Sequence, residues 1–242
     1  MNNILKSKIN LIYLILITSL CIMFITIDFK TNYDSSVLKF TLVITVFLYV
    51  LFLGLKHIIK KDDYKINILY ILAITFTIIS DYLLLIVDNY YHLALTTFII
   101  AHLSYSFIIY LSDNKFAKKR LIIEKSLILL TGLIALVISR ETLLFLTIIY
   151  ALSLVMNLVD SIILVVKIKT YYAVLLMIGF ILFVGCDVCV LLSNLYQIVD
   201  ETKEILDIEI LAECIIWIFY GPSQYFLSLS INRGGLNEKE NN

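Results

Sequence analysis

The chain has 242 residues, 61% of them hydrophobic, with 19 basic and 19 acidic side chains that cancel to a formal net charge of zero. Its mean hydropathy is +0.98, and a soluble domain is only about 45–50% apolar, so the composition excludes an ordinary soluble globule. No basic surface is available for nucleic acid, and a membrane barrel would need short alternating strands that the sequence lacks.

With one proline and seven glycines, long helices are expected. Apolar runs reach about 20 residues, enough to cross about 30 Å of hydrocarbon. In chain order they cover residues 9–28, 37–57, 66–87, 92–111, 121–139, 143–166, 170–195 and 207–230. The first is expected to span the membrane and not to be a cleaved leader, because it is long, lacks a small-residue cleavage site and is followed at once by more spans. The fold class that follows is all-α: a polytopic membrane helix bundle with eight transmembrane helices. The organisation is one membrane domain over 1–231, with 232–242 as a disordered cytoplasmic tail.

Loop charge orients the bundle. With both termini cytoplasmic, 15 of the 19 basic residues fall in inside segments, led by Lys56, Lys60, Lys61 and Lys65 and by the Lys115–Arg120 cluster. Only Lys30, Lys39, Arg140 and Lys203 fall outside. That asymmetry is the positive-inside pattern. It makes a multi-pass protein of the cell membrane the expected state, with the lipid bilayer as its obligatory partner.

Third in order, the 66–87 segment carries Asp81, and the seventh carries Asp187. A carboxyl group at membrane depth costs at least about 2.5–3.5 kcal/mol, so two of them imply a use. Four helices separate them, so both segments run from inside to outside. Each aspartate falls in the outer half of its span. A parallel repeat of four plus four helices would bring the two to matching positions.

Other polar groups accompany them. Segment four holds His102, Ser104 and Tyr105; segment six holds Tyr150, Asn157 and Asp160; segment eight holds Glu213, Tyr220, Ser223, Gln224 and Tyr225. Such groups face the bundle interior, where they find partners or water. His102, Asn157 and Gln224 also suit plain interhelical contacts, and any one of 16 tyrosines suits packing. Asp160, near the inner end of its helix and close to Lys167, reads as a solvated pair. Cys21, Cys186, Cys189 and Cys214 lie in apolar segments and read as buried thiols. Cys186 and Cys189 flank Asp187 but offer too few ligands for a metal, so no metal is expected.

Two carboxyls in one dry cavity cannot both ionise cheaply, so one keeps its proton while the other is charged. That pair suits general acid and base catalysis, and it suits a proton-coupled transporter equally well.

The residues around these positions resemble the YhhN-type lysoplasmalogenase family of eight-helix membrane proteins. The likeness rests on Ser80-Asp81-Tyr82-Leu83-Leu84; on Phe98 with His102 and Tyr105; and on Tyr150 with Met156. It continues through Gly179, Phe183, Cys186 and Asp187, and ends with Tyr220 and Gln224. Lys39, opening the second helix, is also similar. Cys186 stands where the family has serine, Phe40 where it often has proline, and Pro222 is unusual inside the last motif.

The resemblance covers roughly 37–230. It implies catalytic aspartates at Asp81 and Asp187, and substrate-binding or orienting roles for Lys39, His102, Tyr105, Tyr150, Asn157, Tyr220 and Gln224. The implied reaction is hydrolysis of the vinyl-ether bond of a lysophospholipid of the lysoplasmalogen type, without cofactor. Its products are a fatty aldehyde and a glycerophospho-base. The alternative is a small-solute or lipid transporter, or a lipid-binding membrane protein, using the same acidic pair. Gly221-Pro222 is the only apparent helix break that such a transporter could use.

Overall fold

A computed structural model of the chain describes residues 8–30, 35–61, 63–112, 118–199 and 205–233, with side chains described outside 29–30, 118–119, 194–199 and 205–214. The described residues form eight helices and no strand. They are α1 (Lys8–Lys30), α2 (Ser36–Ile59), α3 (Tyr64–Leu85), α4 (Tyr91–Ser112), α5 (Lys118–Ser139), α6 (Thr142–Ile168), α7 (Tyr171–Val199) and α8 (Ile205–Leu229). Seven of them, α1 to α7, are long and apolar enough to cross a membrane. At 25 residues α8 also has the length, and its first half carries Asp207, Glu209 and Glu213.

Burial follows helical spacing. In α2 the buried stripe is Lys39, Leu42, Val43, Val46, Tyr49, Val50, Leu53 and Gly54, the i, i+3, i+4, i+7 pattern of a single inward face. The apolar span of α4 is 56% buried, whereas those of α1, α5 and α6 are each 22% buried. Thus α4 is central, and α1, α5 and α6 turn most of their surface outward. Leu11, Ile12 and Ile15 on α1, and Ile122, Ile123, Leu127 and Leu130 on α5, are exposed, as lipid-facing side chains are.

The packing order repeats every four helices. Contacts α1–α2, α2–α3, α3–α4, α4–α5 and α4–α6 have the counterparts α5–α6, α6–α7, α7–α8, α8–α1 and α8–α2. The two halves are therefore assembled alike, and α3 and α7, which carry the two aspartates, are equivalent members. Lipid supplies no hydrophobic drive between helices, so close approach and polar contacts hold them together. At Gly179 the backbone of α7 approaches α8 closely. A Cβ there would lie 2.7 Å from the Leu227 side chain and 3.1 Å from its backbone nitrogen.

The end of the bundle opposite the aspartates is stitched by hydroxyls. Tyr13 pairs with Ser228 at 2.7 Å, Tyr70 with Ser230 at 2.8 Å, and Tyr49 donates to Asn10 Oδ1 at 3.0 Å. Of the segment expected to be a tail, Asn232 donates to Tyr49 and Arg233 to Tyr172; residues 234–242 lie outside the described ones.

Two sequence expectations change. Asp160 is 1% exposed, and Arg120 Nη2 donates to its Oδ1 at 2.6 Å. It is a buried partner of α5, not a solvated group. Gly221-Pro222 does not break α8, which is one helix with Pro222 inside it. Proline deprives the Ile218 carbonyl of its usual donor.

Candidate functional site

Asp81 lies in the last turns of α3 and is 5% exposed. Its neighbour Ser80 fixes the local backbone. Ser80 Oγ is within hydrogen-bond distance of the Phe76 carbonyl at 3.0 Å, the Ala94 carbonyl at 2.9 Å, and Thr97 Oγ1. This clamps α3 to α4 one residue before the carboxylate. Across the bundle, Tyr220 of α8 donates its hydroxyl to Asp81 Oδ2 at 2.5 Å, the short separation of an O–H on a carboxylate.

Asp187 of α7 is half-buried and has the Tyr150 hydroxyl of α6 beside it. The two arrangements lie within electrostatic reach of each other: Tyr150 of Asp81 and of Tyr220, and Cys186 of both carboxylates. Asp81, Asp187, Tyr150 and Tyr220 are thus one constellation drawn from four helices. Among the described residues, neither aspartate has an ion-pair partner.

Aromatic rings surround this group. Phe183 packs 5.5 Å from Tyr220, 5.3 Å from His102 and 6.3 Å from Phe98. Tyr150 packs 5.6 Å from Phe98 and 5.3 Å from His102. The carboxylates therefore sit against hydroxyls and ring faces, which lowers the local dielectric and strengthens any interaction with a developing charge.

The other sequence candidates occupy separate places. His102 touches Tyr150, and its Nδ1 lies 3.4 Å from Asn157 Nδ2. Asn157 donates to the His102 carbonyl at 2.9 Å and accepts from Ser106 at 2.6 Å. This polar knot joins α4 to α6 behind Tyr150, so Asn157 reaches the aspartates only through other side chains. Tyr105 packs on Tyr70 and Phe180, farther along α4.

Gln224 is 1% exposed, with neither amide atom hydrogen-bonded. It lies one helical turn from Tyr220 on the same face of α8. Lys39 Nζ pairs with Asp28 Oδ2 at 3.1 Å and stands 5.6 Å from the centre of the Trp217 ring. The side chain of Glu213 lies outside the described ones.

Sequence reasoning placed Phe98 and Phe183 in motifs without giving them a role at the site, and it missed Trp217 and Asp28. Helical spacing held part of the signal: Phe183 is four residues before Asp187, Phe98 four before His102, and Trp217 three before Tyr220. Asp28 gave no such signal, because its link to Lys39 depends on how α1 docks.

Among the described residues, no three His, Cys, Asp or Glu side chains gather as a metal-binding group. A cavity of about 520 Å³ opens between α5 and α6, lined by residues that include Arg120, Glu124, Leu127, Leu152 and Met156. It uses a different face of α6 from the one carrying Tyr150 and Asn157, and so lies apart from the aspartates.

The YhhN family model matches residues 34–231. Comparison with curated proteins and with solved structures gave no match.

Proposed function

The chain belongs to the YhhN family, and on that footing we propose that this multi-pass membrane protein is a hydrolase of vinyl-ether lysophospholipids. Asp81 and Asp187 are its acid and base. The observation that carries this reading is the placing of a tyrosine hydroxyl beside each aspartate, in one aromatic-walled cluster without a countercharge among the described residues.

Hydrolysis of a vinyl ether starts at carbon. The protonated aspartic acid gives its proton to the outer alkene carbon, leaving an oxocarbenium ion at the carbon bonded to oxygen. The ionised aspartate stabilises that cation and takes a proton from the attacking water. The resulting hemiacetal collapses: the bond to the glycerol oxygen breaks, that oxygen takes a proton, and the hemiacetal hydroxyl surrenders its own. The products are a fatty aldehyde and a glycerophospho-base, and the protons balance between the two carboxyls. Glycosidases use two carboxyl groups around an oxocarbenium-like transition state in the same way. Tyr150 and Tyr220 hold the carboxylates in place. The hydrocarbon chain lies among Leu, Ile and Phe side chains, and both chain termini lie in the cytoplasm of a cell-membrane protein.

The test uses purified protein in detergent with two lysolipids that differ only in a vinyl or a saturated ether bond. Aldehyde is expected from the vinyl ether alone. No aldehyde from an intact, folded protein would sink the assignment and return the acidic pair to a transport or lipid-binding role.

A further inference from the structure

The cavity of about 520 Å³ between α5 and α6 has a shape of its own. Arg120, Ile123, Glu124, Leu127, Ile128 and Thr131 line it from α5, and their spacing puts them on one helical face. Leu152 and Met156, one turn apart on α6, line the other side. Ile123, Leu127 and Thr131 are exposed, whereas Glu124 and Ile128 are buried. The cavity is therefore a furrow with exposed apolar rims and a buried floor, open toward lipid. Just past Thr131 the two helices close together: a Cβ on Gly132 would lie 2.7 Å from the Ile149 side chain. From Glu124 to that closure is about 12 Å of helix.

The polar groups of the furrow leave one bond unmade. Arg120 Nη2 donates to Asp160 Oδ1 at 2.6 Å, and Lys125 Nζ to Glu124 Oε1 at 2.8 Å. Thr131 gives its hydroxyl to the Leu127 carbonyl. Glu124 is 6% exposed, yet among the described residues nothing donates to its Oε2. Asp160 lies against Glu124, but an ionised carboxyl only accepts. A buried acceptor without a donor is costly and calls for an occupant. A lone water suits it poorly, because a buried water needs about two to four polar partners and the neighbouring groups are engaged.

We propose that this furrow binds an uncharged single-chain lipid alcohol. Its hydroxyl donates to Glu124 Oε2, and its alkyl chain lies along Leu127, Ile128, Leu152 and Met156. Charge selects the head. The two cations already stand on the two carboxylates, so a further ion of either sign would enter this low-dielectric place without a countercharge. A hydroxyl supplies the missing donor and adds no charge. The furrow's single apolar length suits one chain, which enters sideways from the bilayer. The site stands apart from Asp81 and Asp187 and does not depend on the hydrolase reading.

The probe is hexadecanol carrying a photoreactive diazirine in mid-chain, added to the full-length protein in detergent. Peptide mass spectrometry should find it captured on α5 between Glu124 and Thr131, and on α6 near Leu152 and Met156. Plain hexadecanol should compete about tenfold better than its methyl ether, which has the same chain and no donor, as one hydrogen bond to a charged group requires. Palmitate and a palmitoyl lysophospholipid, which carry charged heads, should compete no better than the ether.

Glu124→Ala should bring the alcohol and the ether within about twofold of each other, a ratio that a general loss of folded protein does not alter. Leu152→Phe, which fills the furrow and leaves Glu124 in place, should remove most of the capture while a thermal melt shows the protein folded. Equal competition by alcohol and ether in the wild type would overturn the proposal. So would capture elsewhere than on α5 and α6, undiminished capture by folded Leu152→Phe, or stronger competition by palmitate or the lysophospholipid. No arm of this experiment reads aldehyde, so the furrow and the hydrolase reading can fail separately.

Discussion

Among the described residues, two pairs of acidic side chains inside the bundle are treated in opposite ways. Asp81 and Asp187 are met by the neutral hydroxyls of Tyr220 and Tyr150. Glu124 and Asp160, between α5 and α6, lie against each other and are met by cations: Arg120 Nη2 at 2.6 Å from Asp160, and Lys125 Nζ at 2.8 Å from Glu124. A carboxylate tied to a guanidinium is a poor proton carrier, because giving it a proton strands the cation. A carboxylate held by a hydroxyl can gain or lose a proton without leaving a charge unpaired. An acid in an apolar helix is thus not evidence of catalysis by itself; its partner decides.

The comparison breaks if either pair behaves like the other. The largest effect is expected at the site: Asp81→Asn and Asp187→Asn should each lower aldehyde release by about 10²–10⁴-fold, the usual contribution of a positioned acid or base. Tyr220→Phe and Tyr150→Phe should each cost about 10–100-fold, the worth of one hydrogen bond to a charged group. Both readouts are initial rates on folded protein.

Asp160→Asn should do the reverse, holding turnover within about threefold and lowering stability. The Arg120 side chain is 38% exposed and can turn to the headgroup region, so the cost is about 1–2 kcal/mol, below the full figure for a stranded buried charge. A thermal melt in detergent would register it. Gly179→Ala is expected to cost a similar 1–3 kcal/mol by forcing α7 and α8 apart, roughly equally for both regions.

These contrasts also mark what could be read from sequence. The eight helices were legible because apolar runs of spanning length report burial in lipid directly. Asp81 and Asp187 were legible because charge at that depth is costly, and because equal depth on parallel segments links them. Their partners were not. Which of 16 tyrosines meets each aspartate depends on how α8 docks on α3 and α6 on α7, and in-helix spacing does not carry that.

Asp160 shows the error such reading invites. Its nearness to Lys167 in sequence suggested a solvated pair, yet it shares the buried stripe of Tyr150, Ser153 and Asn157 on α6. Helical phase was the better guide than proximity along the chain. The pairing of Asp28 with Lys39 was equally hidden, because it is visible only once α1 and α2 are placed side by side.

The central claim is that a carboxylic acid of this pair delivers a proton to carbon. It is tested most directly by running the reaction in D2O and reading the aldehyde by mass spectrometry. Protonation of the outer alkene carbon predicts one deuterium beside the carbonyl, formed by the wild type and lost in rate with Asp81→Asn and Asp187→Asn. Aldehyde without that deuterium, or formed equally fast by both variants, would contradict it.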